Sequence, residues 1–315
     1  MRSGLKYFSR SMMLFVLRLI SRLPYRGLHA IAGLLAWVAE HGVQYRLPVI
    51  RENLKRSFPL ASPEELARLQ SGFYRHFADI TMESIKHFSI SNEDAMQRMR
   101  HENTELFDRF FAEGRSVLIA GGHLNNWELY AMSANQSLPH DVMAVYKRLS
   151  DLKMDQAVRD SRQRFGLEMV RTVDAQTWME QHVRGERPKA VVMGFDQSPA
   201  DPRKCWWTTF LNQETAWYYG LEKWARSFDL PVIYGHIYKD RRGWYHTRYE
   251  LVVANPVQEP EGAILEKCMA LLESDIHQHP TEWLWSHKRW KHARPADMPL
   301  NPRRVGAAVI PHDHE

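Results

Sequence analysis

The sequence predicts an α/β protein: a mixed, largely parallel sheet flanked by helices, led by an N-terminal membrane-associated helical segment. Three observations carry that expectation. Short apolar runs alternate with helical stretches from Ser116 onward; the first 39 residues are basic and apolar with no acidic residue; and 44% hydrophobic with 25% charged residues is the balance of a globular chain with a sizeable core.

The N-terminus comes first. Arg2, Lys6, Arg10, Arg18, Arg22 and Arg26 give +6 before Glu40, so a net charge of +5 leaves −1 for the rest of the chain. The surplus is too local and too small for a nucleic-acid binder. Between these charges lie Met12–Leu17, Leu19-Ile20 and the run 28–38, none of which reaches the 18 or so uninterrupted apolar residues of a confident spanning helix. A secretory signal is disfavoured because Arg18, Arg22 and Pro24 follow the apolar stretch instead of a small-residue cleavage site. A signal-anchor with snorkelling arginines stays open, but a helix lying in an anionic leaflet fits better, and six basic residues at about 1 kcal/mol each are enough to hold it there.

Next, Ser62-Pro63-Glu64-Glu65 has the composition of a capping box with Pro at the first helical position. Leu66, Leu69, Phe73, Phe77 and Ile80 then mark one apolar face, which predicts a helix to about His87. Strands are expected at 117–120, 142–145, 167–170, 190–193 and 231–234, with helices near 126–135, 151–164, 174–184 and 215–228. Residues 244–254 alternate like a further strand, 260–277 reads as a late helix, and the proline-bearing tail after Arg294 is expected to be loose. Two cysteines, Cys205 and Cys268, exclude a disulfide framework and suit a reducing compartment. Ordinary packing is expected for most of the 11 tryptophans.

In such sheets the ligand sits beyond the carboxyl ends of strands, so the residues just after each strand carry the functional argument. After 117–120 stands Gly121-Gly122-His123-Leu124-Asn125-Asn126-Trp127-Glu128. The glycines allow a sharp turn, His123 is delivered into the crevice, and Asn125 or Asn126 can cap the next helix. Glu128 in the first turn could accept the imidazole N–H and leave the other nitrogen to take a proton, a general-base dyad without a side-chain nucleophile. There is no G-x-S-x-G, H-E-x-x-H, P-loop or G-x-G-x-x-G motif.

With these residues the chain resembles the lysophospholipid acyltransferase superfamily, whose signature is His, four residues, then Asp or Glu. Glu at the last position is similar to the branch that adds late, lauroyl- or myristoyl-type, acyl chains in lipid A biosynthesis. Further blocks follow in the family's order: Arg51-Glu52-Asn53-Leu54 with Phe58-Pro59; Val145-Tyr146-Lys147-Arg148, Met154-Asp155 and Arg162-Gln163-Arg164-Phe165-Gly166; Gly194-Phe195-Asp196-Gln197; Phe210-Leu211-Asn212 with Thr215-Ala216; and Trp283-Leu284-Trp285-Ser286-His287-Lys288-Arg289-Trp290-Lys291.

With the N-terminal and tail readings above, the expected division is a basic hydrophobic membrane-anchor segment over 1–45, an acyltransferase domain over 46–295 and a loose tail over 296–315. The resemblance implies acyl transfer from an acyl carrier protein thioester, or acyl-CoA, to a hydroxyl of a membrane lipid at the cytoplasmic face of the inner membrane, with no cofactor, no metal and no nucleic acid. His123 and Glu128 are the catalytic candidates. Asn125, Asn126, Trp127, Tyr146, Lys147, Arg148, Arg162, Arg164, Asp196 and Gln197 are the substrate-binding candidates. Gly121-Gly122 and Arg162 are expected to meet an oxyanion, and Lys288, Arg289 and Lys291 an acidic carrier protein. Lys147-Arg148-Leu149-Ser150 and Gln197-Ser198-Pro199 depart from the branch's pattern, which leaves other acceptors open: a lysophospholipid, glycolipid or amino lipid. A non-catalytic membrane-binding protein is the alternative from another class.

Overall fold

The structure, a computed structural model, describes residues 2–304, with side chains from Ser11 on. In chain order the strands are β1 (Met99–His101), β2 (Val117–Gly121), β3 (Asp141–Tyr146), β4 (Glu168–Arg171), β5 (Lys189–Gly194), β6 (Cys205–Phe210), β7 (Gln213–Tyr218), β8 (Val232–Arg241) and β9 (Trp244–Val253). Seven of them form one sheet in the order β1-β9-β8-β2-β5-β3-β4, parallel throughout except for the β8–β9 pair. The apolar runs are continuous rather than alternating because the central strands are covered on both faces. Val117 to Ala120 of β2 are all buried.

The helices are α1 (Arg2–Ser21), α2 (Tyr25–Trp37), α3 (Leu47–Ser57), α4 (Pro63–Lys86), α5 (Asn92–Arg98), α6 (Glu105–Ala112), α7 (Trp127–Ser137), α8 (Leu152–Gln163), α9 (Ala175–His182), α10 (Gly220–Phe228) and α11 (Ala263–Gln278). The capping box at the start of α4 is formed: Ser62 Oγ accepts from Glu65 N at 3.2 Å, and Glu65 Oε2 accepts from Ser62 N at 2.7 Å. In α2 the spacing of Leu28, Ala32 and Ala36 puts all three on one buried stripe, packed with Ala78 and Met82 of α4. No helix among the described residues is long and apolar enough to cross a membrane.

Two expectations are corrected. Residues 215–218 are strand, not helix, and only 220–228 continue as α10. They belong to the antiparallel hairpin β6–β7, whose turn residues Leu211 and Asn212 have φ of 47° and 63°. A two-residue turn with both φ positive matches strand twist, yet Leu is a poor residue for it. Tertiary contacts hold it: Leu211 N donates to Glu273 Oε1 at 2.6 Å and Asn212 Nδ2 to the Ser57 carbonyl at 3.0 Å. The tail is also not loose as far as it is described. Thr208 Oγ1 donates to the Asn301 carbonyl at 2.9 Å, Arg303 pairs with Glu273, and Arg304 N donates to Glu266 Oε2 at 3.1 Å. The remainder, 305–315, lies outside the described residues.

Candidate active site

Parallel pairing of β2 with β5 puts Gly121 opposite Gly194. Two residues further along each chain stand His123 and Asp196, so equal offsets from paired glycines bring the two side chains together at the carboxyl edge of the sheet. His123 Nδ1 lies 2.6 Å from Asp196 Oδ1, while the His123 backbone N–H and Trp283 Nε1 both donate to Oδ2 at 2.8 Å. Three donors on one carboxylate favour its ionised form, and although burial alone would raise the Asp196 pKa, His123 and these bonds hold it well below the usual carboxylate range. For His123 burial opposes the imidazolium, but the Asp196 carboxylate, its hydrogen bond and Glu128 outweigh burial and keep the pKa above the ordinary 6.5.

An ionised Asp196 requires a proton on Nδ1, which leaves Nε2 as the basic nitrogen. The Gln197 amide donates towards it at 3.1 Å, and the Trp127 ring stands edge-on to the imidazole with centroids 5.3 Å apart. Close approach demands glycine here: a Cβ on Gly194 would meet His123 Cε1 at 2.8 Å. His123 lines a cavity of about 540 Å³ whose wall combines polar residues, Glu128, Tyr146, Lys147, Arg162 and Gln197, with apolar ones such as Ala131, Leu167, Met169, Val192 and Ile237.

The partner of the histidine therefore differs from the one expected. Glu128 lines the same cavity but pairs with Arg162 of α8 and acts on His123 only through its charge. The reason is helical direction: Glu128 is in the first turn of α7 and reaches across to α8, whereas Asp196 arrives from the adjacent strand end at the height of the imidazole.

Several of the expected substrate contacts are internal supports. Asn125 is fully buried at φ 53°, with Nδ2 donating to the Ile237 carbonyl at 2.7 Å. Asn126, also fully buried, caps α7 by accepting from Leu129 N at 2.9 Å. Arg164 faces away from the cavity and donates to the His87, Phe88 and Ile90 carbonyls at the end of α4, a common way to satisfy terminal carbonyls. Arg148 is exposed on the loop after β3 and is not part of the cavity wall. Trp127, Tyr146, Lys147, Arg162 and Gln197 do line the cavity. Asp196, read from the sequence as a ligand-binding residue, is instead the partner of the imidazole.

The terminal block supports this site from behind. Leu284 N donates to the His123 carbonyl at 3.1 Å and Asn125 N to the Glu282 carbonyl at 3.0 Å. His287 Nε2 accepts from Ser198 N at 2.9 Å, and burial pushes its pKa down to about 4, so it is neutral. Asn53 of the N-terminal block donates to the Trp285 and His287 carbonyls at 2.8 and 2.9 Å. Arg289 is 2% exposed with its guanidinium 4.4 Å from the Trp217 ring centre, so it is not available to an acidic partner; Lys288 and Lys291 are exposed. Trp207, Trp217, Trp283 and Trp285 are core residues, as packing predicted. Among the described residues no group of His, Cys, Asp and Glu is placed to hold a metal ion.

This is a site at the carboxyl edge of parallel strands, with an oriented histidine in the wall of a largely apolar cavity that has no Ser or Cys among its described lining residues. The family of bacterial lipid A biosynthesis acyltransferases matches residues 2–292, nearly the whole chain, and the chain belongs to that family. It is thus an acyltransferase for which the family implies an acyl donor and a lipid A-type acceptor. A comparison with curated proteins returned no match.

Proposed function

We propose that this acyltransferase is of the late-acting branch, moving a fatty acyl chain from an acyl carrier protein thioester to a hydroxyl of a lipid A precursor, with His123 as general base. The observation that carries the reading is the oriented imidazole of His123 in the wall of a largely apolar cavity, its Nδ1 held by Asp196 and its Nε2 met by the Gln197 amide, which an acceptor hydroxyl would displace. Nε2 takes the acceptor's hydroxyl proton; the alkoxide attacks the thioester carbonyl; the C–S bond breaks as the tetrahedral intermediate collapses; and the imidazolium returns the proton to the departing thiolate. Arg162, oriented by Glu128, and backbone N–H groups around Gly122 are the donors for the oxyanion. The apolar lining residues of the cavity suit an acyl chain, and Lys147 suits an anionic group on the acceptor.

The reading places the enzyme on the cytoplasmic face of the inner membrane. Its support is the outer side of the N-terminal helices, where Phe15 is 63%, Leu34 64% and Trp37 60% exposed, an unusual concentration of large apolar side chains for a water-facing surface. The side chains of Arg2, Lys6 and Arg10 lie outside those described.

The deciding experiment incubates the full chain with a labelled acyl carrier protein thioester and lipid A-precursor vesicles, comparing wild type with His123→Ala. Loss of a general base costs about 10²–10⁴ in rate. Equal rates would remove His123 from the chemistry, and mass spectrometry of the product names the acceptor.

A further inference from the structure

Glu83, in the last turn of α4, is 1% exposed and carries three donors from three different elements. His29 Nε2 of α2 lies 2.9 Å from Oε1; Asn126 Nδ2 and the Tyr245 hydroxyl of β9 both donate to Oε2 at 2.8 Å. The Asn126 contact fixes which way that amide faces. With Nδ2 on Glu83, Oδ1 is turned to the Leu129 N–H, and this cap starts α7 three residues after His123. The first residues of α7 are Trp127, against the imidazole, and Glu128, on Arg162.

The His29 contact reaches the other way. His29 is on the side of α2 that packs on α4, whereas Leu34 and Trp37 of the same helix are exposed. One buried carboxylate thus joins the seat of α2 to the cap of the helix that walls His123.

We propose that Glu83 is a positioning residue for acyl transfer: it locks the Asn126 cap, and through His29 it makes that lock depend on α2 being seated on α4. Removing it displaces the start of α7 by a fraction of an ångström to an ångström, which slows the chemical step while the cavity that binds substrate persists. The inference rests on the acyl-transfer reading for its consequence, but its geometric part has a readout of its own.

The test uses the full-length chain and two measurements, steady-state acyl transfer and amide hydrogen exchange at Leu129. Glu83→Gln and Asn126→Asp each lower kcat by about 10–10²-fold with KM within about threefold, and each speeds Leu129 exchange by about tenfold. The double variant Glu83→Gln/Asn126→Asp reverses donor and acceptor, because the Gln amide donates to the Asp carboxylate, and it recovers at least about tenfold of both losses. His29→Ala reproduces the Glu83→Gln effects and His29→Gln, which can still donate, does not. A residue that only adds stability would speed exchange throughout the core, whereas the positioning role speeds it at Leu129 with the core strands β2 and β5 unchanged. Unchanged Leu129 exchange in Glu83→Gln, or a double variant no better than either single one, overturns the inference. If the wild-type chain shows no acyl transfer while Leu129 exchange in the variants follows this pattern, the proposed reaction is overturned and the positioning of α7 by Glu83 stands.

Discussion

Replacing Asp196 with Asn removes one charge and no volume, and the hydrogen bonds around it dictate the outcome. Oδ2 accepts from two donors, the His123 backbone N–H and Trp283 Nε1, while Oδ1 meets only His123 Nδ1. The Asn amide has one oxygen. Placed at the Oδ2 position it satisfies both fixed donors and presents its NH₂ to Nδ1, which must then become an acceptor, so the proton moves to Nε2 and the base is lost. The opposite orientation keeps the right tautomer but sets an NH₂ against two N–H groups; an unsatisfied buried donor costs about 1–3 kcal/mol, so the productive arrangement is a minor one by about that much. Exchanging a charged for a neutral hydrogen bond to the imidazolium adds about 1–1.5 kcal/mol in the transition state. Together these are about 2–4.5 kcal/mol, or a loss of roughly 30-fold to 2,000-fold in kcat.

The pH profile gives a second, independent signature. On the proposed mechanism neutral His123 is the active form, so the rate is expected to rise with pH through a pKa that lies above 6.5 in the wild type. In Asp196→Asn the carboxylate that raised it is gone and burial, which lowers it, dominates; the residual acid limb moves to lower pH. The assay is label transfer from acyl carrier protein thioester across pH 5–9. A variant within about threefold of wild type, or an acid limb that does not move, would refute the reasoning; by the same logic Glu128→Gln should leave the limb far closer to its place.

Gly194→Ala places a methyl 2.8 Å from His123 Cε1, so the imidazole must shift; kcat is expected to fall by about 10²-fold with little change in Tm, and an unaffected rate would contradict the geometry. Ala131→Phe fills part of the cavity, and the chain-length preference should move to shorter acyl thioesters in a competition assay read by mass spectrometry. His236 tests linkage away from the site. Burial opposes its charge, but Asp275 at 2.8 Å and Glu250 push its pKa up to about 9. Because the folded pKa is the higher one, this stabilisation is complete below about pH 6.5 and is lost as pH rises through 9; denaturant titrations should show up to about 3 kcal/mol disappearing across that window, and no such slope in His236→Gln.

Much of this protein was legible in its sequence. The strands at 117–121, 141–146, 168–171 and 189–194 follow from short apolar runs, that at 244–253 from alternation, and the α4 start from four residues of local capping chemistry. His123 stood out because a glycine pair after a strand delivers its side chain to the ligand-binding edge. Local spacing also suggested its partner, and there it misled: Glu128 is near in sequence but Asp196 is near in space. Periodicity and capping act within a few residues, so sequence determines which elements form and which residues end them. Register between β2 and β5, 73 residues apart along the chain, determines that the two glycines pair and that His123 meets Asp196. The same holds for Arg289, which reads as a docking cation and lies buried on Trp217, and for Glu83, which no motif marks and which only the packing of α2, α4, α7 and β9 makes a junction.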